Sequence, residues 1–184
     1  MTSFIIKDHV DRPPAPSWAP ESDSDCTFCR IIRNELPAYR VFEDDEVIAI
    51  LDILPLRGGH TLVIPKVHCS RLSELPANYA AATGKAVSRV AHALTQAVEN
   101  TALNVVCNQE YAQAVPHVHY HVIPAPTVTS PTPSPPAPTS VEKEMESSKR
   151  PRSVKEMHRM EFEARDELDE REAGVLAQKI RAHL

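Results

Sequence analysis

The chain has 184 residues, 42% hydrophobic, with 20 Lys and Arg, 25 Asp and Glu, nine His and four Cys. Its length suits one ordinary domain with additional segments, and a net charge of -5 with both signs interspersed argues against a nucleic-acid-binding face. No run of about 18 apolar residues offers a membrane-spanning helix, and the apolar stretch in "MTSFIIKDHVDRPPAPSWAP" is too short and proline-broken for a signal peptide.

Taken in chain order, residues 1–24 are rich in Pro, Ser and Asp and are expected to form a flexible arm. "TFCRIIRN" reads as a short helix, ended in "ELPAY" where Pro37 pushes the residue before it out of helical geometry. "RVFEDDEVIAILDI" reads as two strands joined by an acidic turn at residues 43–46, and "GHTLVIPK" as a third, entered through Gly58 and Gly59. Thr83, Val87, Val90, Leu94 and Val98 recur in steps of three and four, which predicts one long helix over about 77–98. "ALNVVCN" and "HVHYHVIP" supply two more strands and close a domain over 25–125. Strands in runs around one central helix suggest an α+β fold with an antiparallel sheet.

"PAPTVTSPTPSPPAPTS" has seven prolines and no charge. A stretch of this composition is expected to form neither ladder nor helix, so 126–160, the proline-rich residues with the charged ones that follow, is expected to be an insertion or linker. Within 161–184, "ELDEREAGVLAQKIRAHL" places Leu168, Val175, Leu176 and Ile180 near helical spacing and predicts a C-terminal helix. Cys26 and Cys29 form a C-x-x-C, while Cys69 and Cys107 stand alone; this is not a disulfide framework and suits a reducing compartment. A soluble, cytoplasmic protein is expected, with the nucleus as a second location.

The unusual stretch is "AVPHVHYHVIP". On a strand His117, His119 and His121 share one face, about 7 Å apart, and Val118, Tyr120 and Val122 share the other. Three readings compete: a solvated polar face, a zinc site, or phosphoryl-transfer chemistry by imidazoles that are neutral and nucleophilic near pH 7. Spacing alone does not separate the last two.

H-V-H-Y-H-V-I matches H-φ-H-φ-H-φ-φ, with φ apolar, the signature of the histidine triad (HIT) family. "CTFCRIIRNELPAYRVFEDDEVIAILDILPLRGGHTLVIPKVH" also resembles the first half of that family, so the likeness covers about residues 26–124. The C-terminal helix is similar to that of some members. The resemblance implies a five-stranded antiparallel sheet with a long helix and a short N-terminal one, the sheet continuing across a homodimer. It also implies roles. His119 would attack the α-phosphorus of a nucleotide, and water would release the nucleotidyl-histidine as a nucleoside monophosphate. His121 and protonated neighbours would hold the non-bridging oxygens. His60 would orient His119, Gln113 would contact the phosphate or leaving group, and Asn108 the phosphate end. Asp52 would take the ribose hydroxyls with Ile53 beside it, and Phe28 and Ile31 would line a purine slot; for the three apolar residues an ordinary core role stays open.

The C-x-x-C has two readings of its own, a redox pair, for which the surrounding βαβ pattern is missing, or half of a zinc site. A subset of this family, with the related galactose-phosphate uridylyltransferases, is similar in supplying the other half, here His68 of "PKVHC" and His117. That implies a closed, structural zinc on Cys26, Cys29, His68 and His117; the alternative is ordinary reduced cysteines and a His117 hydrogen-bonded within the triad. No organic cofactor is implied. The chain departs from the family pattern in "NQEYAQAV", with Ala112 where glycine is usual and Ala114 where some members have Ser or Thr. Altered activity is therefore one expectation.

The implied function is hydrolysis of purine nucleoside phosphoramidates or related nucleotidyl conjugates. The alternatives are a dinucleoside polyphosphate hydrolase, or a purine-nucleotide-binding adaptor with little turnover. In the adaptor reading "PTPSPPAP" would bind an SH3-type domain as a P-x-x-P segment; otherwise it is a spacer.

Overall fold

A computed structural model describes residues 23–110, 112–126 and 167–184. The expected arm up to residue 22, the proline-rich and charged segment beyond residue 126, and 161–166 lie outside the described residues. The described elements are helix α1 (Thr27–Ile32), strands β1 (Arg40–Glu43), β2 (Val47–Leu51) and β3 (Thr61–Pro65), a 3-10 turn (Leu72–Glu74), helix α2 (Ala77–Ala97), strands β4 (Leu103–Cys107) and β5 (Tyr120–Pro124), and helix α3 (Glu170–Arg181). The strands form one five-stranded antiparallel sheet in the order β1-β2-β3-β5-β4, the α+β arrangement that was expected.

β2 and β3 are apolar at nearly every position because they are central and covered on both faces. Side-chain alternation sorts their residues. Val47, Ala49, Leu51 and Val63 pack under α2 and α3, whereas Ile48, Ile50, Leu62 and Ile64 pack under Phe28, Cys29 and Ile31 of α1. Helix α2 buries Thr83, Ala86, Val90, Ala93 and Leu94, the stripe that steps of three and four require.

Helix α3 starts at Asp169, whose carboxylate accepts from the amides of Arg171 and Glu172, both at 3.0 Å; such a cap contributes about 1 kcal/mol. Its buried residues are Ala173, Ala177 and Ile180. Leu168 and Leu176 pack partly against the core, but Val175 of the expected stripe is 55% exposed. Small alanines let α3 lie close on α2 and β1, a choice that apolar spacing alone does not reveal.

β5 is shorter than the expected strand over 117–124. The His117 amide donates to the Val115 carbonyl and the Val118 amide to the Cys69 carbonyl, so neither joins the ladder. Pairing with β3 starts at Tyr120 opposite Val63.

Candidate active site

His121 sits opposite Leu62 of β3 and Val106 of β4, on the α1 side of the sheet. Beside it, Nδ1 of His119 lies 2.7 Å from the carbonyl oxygen of His117. A carbonyl only accepts, so Nδ1 carries the proton and Nε2 the lone pair. The Phe28 ring meets His119 edge-on, with centroids 5.1 Å apart. His119 is 3% exposed, and burial holds its pKa below the ordinary histidine value. At neutral pH it is therefore an uncharged imidazole with its proton directed into the protein, the form a nucleophile needs.

His121 is held differently. Its Nδ1 lies 3.0 Å from Nε2 of His60. Two groups reach the other nitrogen of His60: the Leu56 amide at 3.2 Å and Oδ2 of Asp52 at 3.3 Å. They suit its two charge states. Neutral His60 accepts from Leu56 at Nδ1 and donates from Nε2 to His121, which then carries its proton on Nε2. A second proton on His60 would face the Asp52 carboxylate. Burial, and then the neighbouring His119 and His60, push His121 down to about 3. It presents an N–H, not a cation.

This arrangement corrects the role expected for His60, which supports His121 while the His117 carbonyl orients His119. Gln113 is also placed otherwise than expected. Its side-chain oxygen accepts from the Glu110 amide at 2.8 Å, and its nitrogen donates to the carbonyls of Ser70 at 3.0 Å and His117 at 3.3 Å. The amide ties Glu110 to Ser70 and His117. Asn108 likewise donates to the Ala112 carbonyl at 3.3 Å. Ala112 has a φ of +58°, the left-handed region that explains why glycine suits this position, and Ala114 is exposed. Oδ1 of Asp52 accepts from the Leu54 amide at 3.0 Å. Phe28 and Ile31 are buried in the core beneath α1, with Phe28 also touching His117 and His119, whereas Ile53 is 64% exposed at the rim.

Four ligand-type side chains meet at the N-terminal end of the same face. The donor atoms of Cys26, Cys29, His68 and His117 lie within 4.8 Å of one another. Nδ1 of His117 is 3.5 Å from Sγ of Cys26 and 3.6 Å from Sγ of Cys29, and Nδ1 of His68 is 3.3 Å from Sγ of Cys29. A tetrahedral zinc with bonds of about 2.3 Å to sulfur and about 2.0 Å to nitrogen requires sulfur–nitrogen edges of about 3.5 Å. Nε2 of His117 donates to the Pro65 carbonyl at 2.8 Å, which leaves Nδ1 as the lone-pair nitrogen facing the sulfurs. Burial pushes His117 down to about 4, and burial with the adjacent Cys26 pushes the Cys29 thiol up to about 12. A dication among the sulfurs reverses that thiol penalty. The residues fit the metal.

A HIT domain model matches residues 33–127, just over half of the chain. The protein belongs to the HIT family. Among related HIT proteins, the adenylylsulfatase of Arabidopsis thaliana is 40% identical over 103 residues, 55% of this chain and 52% of that protein, so the shared region spans about half its length. The adenosine 5'-monophosphoramidase of Saccharomyces cerevisiae is 37% identical over 103 residues, 55% of this chain and 63% of that one. Two solved HIT structures cover more of the fold. A HIT-like protein of Bartonella henselae involved in cell-cycle regulation has a TM-score of 0.65 at 30% identity, over 89% of this chain and 98% of that one. A zinc-bound histidine triad protein of Mycobacterium smegmatis has a TM-score of 0.62 at 27% identity, over 88% and 96%.

What sequence reasoning missed in this HIT domain is main chain. The His117 carbonyl, the Leu56 amide and the Cys69 carbonyl hold the triad in place. Any residue type supplies those groups, so no motif announces them.

Proposed function

We propose that the protein hydrolyses purine nucleoside phosphoramidates or related nucleotidyl conjugates through a nucleotidyl-histidine on His119. The observation that carries this reading is the bond from His119 Nδ1 to the His117 carbonyl, which leaves a neutral Nε2 lone pair. In the first step Nε2 attacks the α-phosphorus. A phosphorus–nitrogen bond forms as the bond to the leaving group breaks, and the leaving nitrogen takes a proton from solvent and departs as a neutral amine. In the second step water attacks the same phosphorus and the bond to His119 breaks. The monophosphate leaves, a proton passes to solvent and neutral His119 is regenerated. The His121 N–H meets a non-bridging oxygen as charge grows there. Asp52, whose Oδ1 is oriented by the Leu54 amide, would accept from the ribose hydroxyls. The names of the Arabidopsis and yeast relatives support an adenylyl group joined to a labile partner.

Cys26, Cys29, His68 and His117 would hold one structural zinc, tying α1 to the triad segment and taking no part in turnover. The homodimer reading is supported by β4, an edge of the sheet that among the described strands pairs with β5 alone, and whose Val105 is 43% exposed. The alternative of a nucleotide binder with little turnover draws on one observation, the engagement of Gln113 by Ser70 and His117.

The deciding experiment compares adenosine phosphoramidate, adenosine 5'-phosphosulfate and diadenosine tetraphosphate as substrates, with His119→Ala as control. Faster AMP release from the first two, abolished by the substitution, is the expected result. Preference for the tetraphosphate moves the protein to the polyphosphate reading. AMP binding without turnover of any of them leaves the binder.

A further inference from the structure

We infer that the segment leading into α3 is a positioning element of the nucleotide site, acting through the main-chain hydrogen bond from Leu168 to Ile53. The inference rests on the function proposed above, because that reading makes Asp52 the ribose-binding acid.

The bond, at 2.9 Å, is the first link in a continuous path. Its acceptor belongs to the loop between β2 and β3, where the Leu54 amide donates to Oδ1 of Asp52 at 3.0 Å. The Asp52 amide donates to the His60 carbonyl at 2.9 Å, and the Leu56 amide donates to Nδ1 of His60 at 3.2 Å. His60 in turn reaches His121 at 3.0 Å. The orientation of Asp52 thus depends on where the backbone of 52–54 lies, whereas His60 is also held by its burial at the entry to β3 and His121 by the β3–β5 ladder.

Packing does little to hold that backbone. Ile53 is 64% exposed and Leu54 45%, and Asp52 lies just past the last residue of β2. The other end of the bond is firmly anchored. Leu168 packs partly against the core under α2, Asp169 caps α3, and Ala173, Ala177 and Ile180 are fully buried. A rigid helix therefore sets the position of an exposed loop through one main-chain bond. The nucleophile is not on this path, since the His117 carbonyl and the Phe28 ring hold His119.

That separation predicts a particular kinetic signature. Losing the bond lets Asp52 wander and weakens ribose binding, while His119 stays ready to attack. KM rises and kcat holds. A merely structural role would do the reverse, because a partly unfolded population lowers kcat and leaves KM unchanged.

The test uses the full chain. Leu168→Pro removes the donor and keeps an apolar side chain, and Leu168→Ala keeps the donor and trims the side chain. For Leu168→Pro, amide exchange over residues 52–56 is expected to speed up about tenfold while 170–181 stays protected. KM for adenosine phosphoramidate is expected to rise about fivefold, as for the loss of one hydrogen bond, with kcat within about twofold. Leu168→Ala, which keeps the donor and loses only part of the anchor, should show a smaller rise than Leu168→Pro in both exchange and KM. Ala177→Leu, which crowds α3 away from α2, makes the same prediction by a second route. Unchanged exchange over 52–56 together with an unchanged KM in Leu168→Pro overturns the inference. Absence of turnover in the wild-type protein sinks the proposed function instead, and the exchange measurement still decides whether α3 sets the loop.

Discussion

His60 and His121 share one hydrogen bond of 3.0 Å, while His119, whose ring centroid lies 4.9 Å from that of His121, takes its orientation from a main-chain oxygen. The three imidazoles are therefore not interchangeable, and their substitutions should grade. His119→Ala should abolish turnover. His121→Ala removes an N–H aimed at the phosphate and should lower kcat about 100-fold. His60→Ala leaves that N–H in place but unsupported and should cost about tenfold. Steady-state kinetics of the three variants checks the order. A His60 variant worse than the His121 variant would mean that His60 itself reaches the substrate.

Burial of His121 also shapes stability against pH. The unfolded chain takes up a proton near pH 6.5, whereas the folded chain refuses it down to about 3. Between those values the unfolded state binds more protons, so the contribution of this side chain is complete above about pH 6.5 and falls away as pH drops. The slope approaches about 1.4 kcal/mol per pH unit. His117, held near 4 by burial, acts in the same sense when no metal is bound. Urea unfolding between pH 7 and 5 should show falling stability in the wild type and a shallower slope in His121→Gln. A flat wild-type profile would count against a buried, neutral His121.

The Cys–His cluster makes a stoichiometric prediction. The purified protein should contain about one zinc per chain, and cobalt substitution should give the intense thiolate charge-transfer band of a two-sulfur site. Cys29→Ser should lose the metal and unfold at lower temperature, and stripping the wild type with a chelator should reproduce that drop. Full thermal stability in metal-free protein would leave the cysteines as ordinary reduced residues.

Gly59 has a φ of +92°, and a Cβ there would stand 2.9 Å from Cδ1 of Leu94 and 3.2 Å from Cγ of Pro124 and Cγ1 of Val98. The chain enters β3 through a gap that only glycine fits, immediately before His60. Gly59→Ala should destabilise the protein by about 1–3 kcal/mol. Activity should fall as well, because the strain is relieved by moving His60. Chemical denaturation with a parallel activity assay measures both.

Ala112 offers the opposite case. Its φ of +58° costs an L-residue with a Cβ about 1 kcal/mol. Ala112→Gly should raise the stability of the protein by roughly that amount, detectable as a higher midpoint in urea. An unchanged or lower midpoint would indicate that the left-handed turn is not populated in solution.

The elements were legible in the residues because each carries its own local pattern. Short, nearly unbroken apolar runs in β2 and β3, steps of three and four in α2, and the acidic turn after β1 each appear within a few turns of chain. Local spacing drew attention to the C-x-x-C and to the alternate histidines, and the family resemblance supplied the rest: His68 and His117 as partners of the cysteines, and the separate roles within the triad. Where prediction slipped, the deciding neighbour was distant in sequence. The apolar spacing of the last helix suggested Val175, but close packing on α2 and β1 selected Ala173 and Ala177.

Thus the amino-acid sequence by itself determined the α+β class, the family and the chemical inventory of the site, because periodicity and side-chain chemistry are local properties. Only the tertiary structure decided which group serves which. It paired His60 with His121, gave His119 to a carbonyl, turned Gln113 inward and joined Leu168 to Ile53. Those choices run through backbone amides and carbonyls that every residue possesses, and such groups acquire meaning only when folding brings distant stretches of chain within hydrogen-bonding distance.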